Sequence, residues 1–200
     1  MTQITCSTIA LVRHGQTNWN VDRRIQGRTE VPLNDNGRAQ ARAAARTLAS
    51  AEVAGALAAT ARALSVVAEV VSSPLGRAIE TAEIIAETLA LAAPSVNRGL
   101  IERDFGAAEG LGVAEAEARW PGLRVPDAEP LDTLSNRSAE VFQALLETSP
   151  GAIVVAHGAM LRWGLAHLCG TEMPRILNGE VWLLTRSATG RFEVVAPEPC

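Results

Sequence analysis

An apolar run, Thr8 to Val12, delivers Arg13-His14-Gly15 into the turn that follows it, and a later run, Ala152 to Ala156, delivers His157-Gly158 in the same way. The chain has three histidines, and two of them stand in this strand-His-Gly context. Side chains of these types suit attack on a phosphomonoester. That chemistry needs a nucleophile, charge on the equatorial phosphate oxygens and a proton for the leaving oxygen. His14 offers a neutral ring nitrogen for in-line attack, giving a phosphohistidine. Arg13 and Arg77 offer planar forks for the oxygens. His157 is a donor to the transferring group, and Asn20 reaches the same pocket from the loop after His14. Glu102, next to Arg103 and ahead of Phe105-Gly106, is the candidate to protonate the departing alkoxide and later to take a proton from water, with Glu109 as the alternative. Arg23, Arg24 and Arg28 lie on the loop after the nucleophile, where one of them would meet a substrate carboxylate or a second phosphate; Arg162 can reach the cleft or stay at the surface. His167 lacks the strand context and reads as structural, and Trp19 and Trp163 read as packing residues.

The elements that must position these groups alternate. Strands are expected at Thr8 to Val12, Val66 to Val71 and Ala152 to Ala156. Helices are expected at Arg38 to Ala49, Leu75 to Ala90, Val113 to Arg119, Leu131 to Glu147 and Met160 to Leu168, with Ser73 and Pro74 opening the second of these as cap and first-turn residue. The Ala-rich stretch Ser50 to Ala63 either lengthens the first helix or makes another. A terminal hairpin pairs Val181 to Thr185 with Arg191 to Val195 around Thr189-Gly190. Alternating strands and helices predict one domain over 1–200, a three-layer α/β/α sandwich around a mainly parallel central sheet. Ligands in such sheets bind beyond the carboxyl ends of the strands, where His14, Ser73 and His157 all fall.

Five blocks along the chain resemble the histidine phosphatase superfamily, the phosphoglycerate-mutase-like family. They are Leu11-Val12-Arg13-His14-Gly15-Gln16-Thr17-Asn18-Trp19-Asn20; Gln26-Gly27 with Leu33 to Ala41; Ser72 to Ala82; Glu102 to Gly110; and Val154-Val155-Ala156-His157-Gly158. The resemblance implies that His14 is the phosphorylated histidine and Glu102 the proton donor. It implies that Arg13, Asn20, Arg77 and His157 bind the phosphoryl group, that Gln26 and Gly27 belong to the substrate site, and that no metal or other cofactor takes part. The chain departs from the family pattern between Ala49 and Ser73, which is long and Ala-rich, and at Ala128-Glu129-Pro130, where the family has Gly-Glu-Ser. The proline removes a backbone donor and a hydroxyl there.

The formal charge is -4 with both signs interspersed, which speaks against a nucleic-acid or anionic-membrane surface. Cys6, Cys169 and Cys200 are odd in number and widely spaced, as free thiols in a reducing compartment are. No apolar stretch reaches membrane-spanning length and no secretory leader opens the chain, so a cytoplasmic location is expected. The expected function is a metal-independent phosphomonoesterase acting on a small phosphorylated metabolite, as a monomer or homodimer. The alternatives are a 2,3-bisphosphoglycerate-dependent phosphoglycerate mutase and a non-catalytic phosphoester-binding or regulatory protein. Hydrolysis is favoured because Gly110 to Ala152 is short, leaving little lid material, and Gln16 stands where the family's mutases carry Glu.

Overall fold

The structure, a computed structural model, describes residues 6–64 and 69–197. Its strands are β1 Ser7–Arg13, β2 Val70–Ser72, β3 Ser95–Val96, β4 Ile153–Ala156, β5 Val181–Arg186 and β6 Phe192–Val195. They form one sheet in the order β3-β2-β4-β1-β5-β6. The pairs from β3 to β1 are parallel, and β5 and β6 add an antiparallel edge. The expected strand at Val66 to Val71 is therefore present from Val70 onwards, its residues 66–68 lying outside those described. The two-residue β3 was not anticipated, being too short to carry a pattern.

The helices are α1 Asn18–Val21, α2 Asp35–Leu48, α3 Ala51–Leu64, α4 Gly76–Thr88, α5 Val113–Arg119, α6 Leu131–Thr148 and α7 Gly158–Cys169. The Ala-rich stretch forms a helix of its own, separated from α2 by the turn at Ala49 and Ser50. Pro130 is accommodated because it stands at the N-cap of α6, where a missing N–H breaks no helical bond.

Strand β1 is buried along its whole length, and its alternation divides the core. Ile9 and Leu11 join Val154, Leu184, Phe142, Leu146 and Leu165 under α6 and α7. Ala10 and Val12 join Val70, Val155, Ala45, Leu57 and Ile85 under α2, α3 and α4. These are the three expected layers. A smaller cluster of Ile25, Ala108, Ala116 and Val125 supports the middle segment. Among the described residues no helix is long and apolar enough to cross a membrane.

Candidate active site

Strand register brings the two histidines together. Arg13 of β1 pairs with Ala156 of β4, so the next residues, His14 and His157, leave the sheet side by side, their ring centroids 5.2 Å apart. Ser72 of β2 pairs with Val155, which brings Ser73 to the same edge. The chain leaving β1 turns to the α2 face and the chain leaving β4 enters α7 on the other face. The crevice between them is the point where an open sheet binds ligands. Gly15 makes the turn possible: a Cβ there would collide with the Gly37 carbonyl at the start of α2.

His14 is buried, and its Nδ1 donates to the Gly15 carbonyl at 2.7 Å. That partner puts the proton on Nδ1, so Nε2 carries the lone pair, which accepts from the Arg77 guanidinium until it attacks. Arg77 Nε lies 3.3 Å from Nε2. Burial, then the charges of Arg77 and Arg13, hold the His14 pKa well below its usual 6.5. His157 is depressed by burial too, with Arg77 the next cause. Both rings are thus neutral near pH 7.

Each arginine is held by backbone carbonyls rather than by a carboxylate. Arg77, fully buried, donates to Gly27 O at 2.7 Å and Thr29 O at 3.0 Å. Gln26 turns its amide oxygen to Arg77 Nε and Nη1 at 3.2 and 3.3 Å while its nitrogen donates to Thr17 Oγ1. Arg13 Nη1 donates to Ile176 O at 2.7 Å, and its Nε is buried without a partner. Burial lowers Arg13 to about 10, the Glu102 charge working in the opposite direction. Both guanidiniums therefore stay charged at neutral pH with donor capacity for an anion. Asn20 closes a capping box with Thr17 around α1, and its Oδ1 accepts from Asn178 Nδ2 at 3.1 Å.

Glu102 is buried at the N-terminus of α7. Its Oε1 accepts from Met160 N at 2.9 Å and Arg103 N at 2.8 Å, and its Oε2 accepts from Ala159 N at 3.0 Å. The N-cap residue of this helix, His157, makes no side-chain cap bond, so Glu102 supplies the cap from elsewhere in the chain. Helix α4 repeats the arrangement. Against the expectation from the sequence, Ser73 is not its cap and Pro74 lies ahead of its first turn. The N-cap is Leu75, without a side-chain bond, and Glu30 accepts the Gly76 N–H at 3.1 Å. Ser73 is drawn away to His157 Nε2, 2.6 Å distant. Glu109, the alternative acid, is engaged by Arg28 N, Thr29 N and Thr29 Oγ1. It ties down the loop whose carbonyls hold Arg77.

An open cleft of about 610 Å³ adjoins these groups, with Arg13, Asn20, Gln26 and Glu102 in its walls. Its lining carries six arginines (Arg13, Arg23, Arg24, Arg103, Arg162, Arg175) against a single carboxylate, Glu102. Arg23 and Arg24 of the nucleophile loop reach it, whereas Arg28 is drawn to Asp104 and Glu129. Arg162 lines it while donating to Met173 O, and Trp163, expected only to pack, also forms wall. His167 meets Ser135 Oγ at 3.4 Å, bridging α7 to α6. Glu129 keeps a structural task, pairing with Arg137, which also donates to Glu102 O at 3.2 Å. Arg103, Arg137, Arg175 and Asn178 were not singled out from the sequence. Of these only Arg103 carried a signal, its place beside the acid. Among the described residues no three His, Cys, Asp or Glu side chains converge as metal ligands.

The profile of the histidine phosphatase superfamily, branch 1, matches residues 9–189. A Bacillus subtilis protein named "uncharacterized phosphatase PhoE" is 33% identical over 170 residues, 83% of this chain and 79% of its own. Phosphoglycerate mutase-like protein 4 of Arabidopsis thaliana is 33% identical over 189 residues, 86% of this chain and 76% of its own. The solved structure of mycobacterial hydrolase 1 superposes with a TM-score of 0.80 at 25% identity, covering 98% of this chain and 100% of the other. The hydrolase expected from the sequence agrees with the phosphatase named among these relatives. With its two strand-end histidines and arginine pair in place, the chain belongs to branch 1 of the histidine phosphatase superfamily.

Proposed function

We propose that this protein is a metal-independent phosphomonoesterase working through a phosphohistidine at His14. The observation that carries the reading is the state of His14: a buried neutral ring, its proton committed to Gly15 O and its Nε2 turned to Arg77. In the first step Nε2 attacks phosphorus and the P–O bond to the leaving group breaks. Arg13, Arg77, Asn20 and His157 hold the phosphoryl oxygens, with Gln26 and Gly27 fixing Arg77. Glu102 gives its proton to the leaving oxygen from Oε2, the oxygen with one backbone partner rather than two. In the second step water loses a proton to Glu102 and its oxygen bonds to phosphorus. The N–P bond breaks, returning the electron pair to Nε2 and releasing inorganic phosphate.

The substrate proposed is a small phosphorylated metabolite carrying a second anionic group. Arg13 and Arg77 suffice for one phosphoryl group, and the cleft adds five further arginines. Apolar wall from Phe105, Leu123 and Trp163 faces the rest of the molecule. A mutase outcome of the same phosphohistidine has the names of relatives behind it: the mutase-like Arabidopsis protein and bacterial proteins named "probable phosphoglycerate mutase", one of them 33% identical over 169 residues. A phosphorus NMR time course with 3-phosphoglycerate and a trace of 2,3-bisphosphoglycerate decides between them. Inorganic phosphate accumulating without 2-phosphoglycerate supports hydrolysis; rapid 2-phosphoglycerate with little free phosphate supports the mutase.

A further inference from the structure

Ser73 is fully buried, and its Oγ lies 2.6 Å from His157 Nε2. The same Oγ accepts the Leu75 N–H at 3.4 Å. Across the ring, His157 Nδ1 is buried with no protein partner. This contact admits two proton placements. If His157 donates from Nε2, the Ser73 hydroxyl hydrogen has no acceptor and Nδ1 keeps an unmatched lone pair. If Ser73 donates, its hydroxyl is satisfied, the ring proton sits on Nδ1, and one buried donor remains. Buried polar groups without partners are costly, so the placement that leaves one rather than two prevails.

We propose that Ser73 is a positioning residue, donating to His157 Nε2 so that the ring proton is fixed on Nδ1 as a hydrogen-bond donor to the phosphoryl group. His14 gives this arrangement its sense. There the Gly15 carbonyl takes the Nδ1 proton and leaves a lone pair. At His157 the Ser73 hydroxyl takes the lone pair and leaves a proton. Both rings are the same tautomer, yet one is left to attack and the other to donate. The groups whose charges act on His157 are Arg77 from α4, Arg13 at the end of β1, His14 just beyond that strand, and Arg137 from α6. None supplies a negative charge to favour imidazolium, so the identity of each ring nitrogen rests on its hydrogen-bond partner.

The inference rests on reading His157 as a phosphoryl ligand, and the test separates the two. Proton–nitrogen correlation NMR on histidine-labelled full-length protein has only three rings to resolve, with a His157→Gln variant for assignment. The expected wild-type spectrum has His157 protonated on Nδ1 and bare on Nε2, and added inorganic phosphate shifts the Nδ1 signal. Ser73→Ala is expected to lose the single tautomer at His157 while leaving the His14 signals in place. It should lower kcat on p-nitrophenyl phosphate by about 10- to 100-fold, as loss of an orienting partner does, with a smaller change in KM. A wild-type His157 protonated on Nε2 overturns the role of Ser73 whether or not the protein is a phosphatase, and needs no variant to fold. The Nδ1 proton present but indifferent to phosphate overturns the phosphoryl contact instead. Full kcat in Ser73→Ala overturns the positioning role.

Discussion

His14 needs no general base at neutral pH, because burial beside Arg77 and Arg13 keeps its ring unprotonated. The same burial has a consequence for folding. His14 and His157 both have folded-state values below 6.5, so below that pH the unfolded chain binds more protons and stability falls as pH falls. The limiting loss is about 1.4 kcal/mol per histidine for each pH unit below about 6.5. Urea unfolding at about pH 7.5 and about pH 5.5 should therefore show a marked drop for the wild type and a smaller one for His14→Asn/His157→Asn. Equal wild-type stability at the two values would contradict the buried neutral pair. Glu102 makes a second expectation at this scale. Glu102→Gln should slow alkyl phosphates by about 10²- to 10⁴-fold and p-nitrophenyl phosphate far less, since a good leaving group needs no proton. Damage to the α7 cap alone would slow both substrates alike, which the paired assay would reveal.

The two helices that begin at the site, α4 and α7, have given up their own side-chain caps, and Glu30 and Glu102 cap them from distant segments. Each cap thereby docks a site loop onto a helix. Elsewhere ordinary helix rules apply, as α2 illustrates with Asn34 accepting from Gly37 N. Helix α3 carries Gly55 at an exposed position where an added Cβ meets nothing within 4 Å. Gly55→Ala should accordingly stabilise the protein by about 0.5–1 kcal/mol, read as a higher urea midpoint at unchanged slope, with activity unaltered. A lower midpoint would mean α3 is not helical there. Helix positions and the strand-His-Gly edges were legible in the sequence because periodicity and turn residues are local signals. The caps and clamps were not, because their partners lie far apart in the chain: 84 residues for Ser73 and His157, 164 for Asn178 and His14. Ser73 was misread for this reason, since its local context is that of a cap.

Over the whole molecule, the charge is distributed against its sum. The net charge is -4, yet the cleft is lined by six arginines and one carboxylate. Low-dielectric walls with one sign of charge attract an oppositely charged substrate, and salt screens that attraction. For a phosphomonoester bearing a second anionic group, kcat/KM should fall several-fold between low and high salt, with a weaker fall in Arg103→Gln/Arg175→Gln. A salt-independent kcat/KM would remove the electrostatic role of the cleft. The register of β1 against β4 could not be read from sequence either, and it is what makes two separate strand ends into one site. The most direct measurement on that site is to react the protein with excess p-nitrophenyl phosphate, quench in alkali, where phosphohistidine survives, and map the phosphate by peptide mass spectrometry. Phosphate on His14 in the wild type, and none in a folded His14→Ala protein that no longer turns over, is the predicted result. Phosphate on another residue, or turnover that persists without His14, would contradict the account.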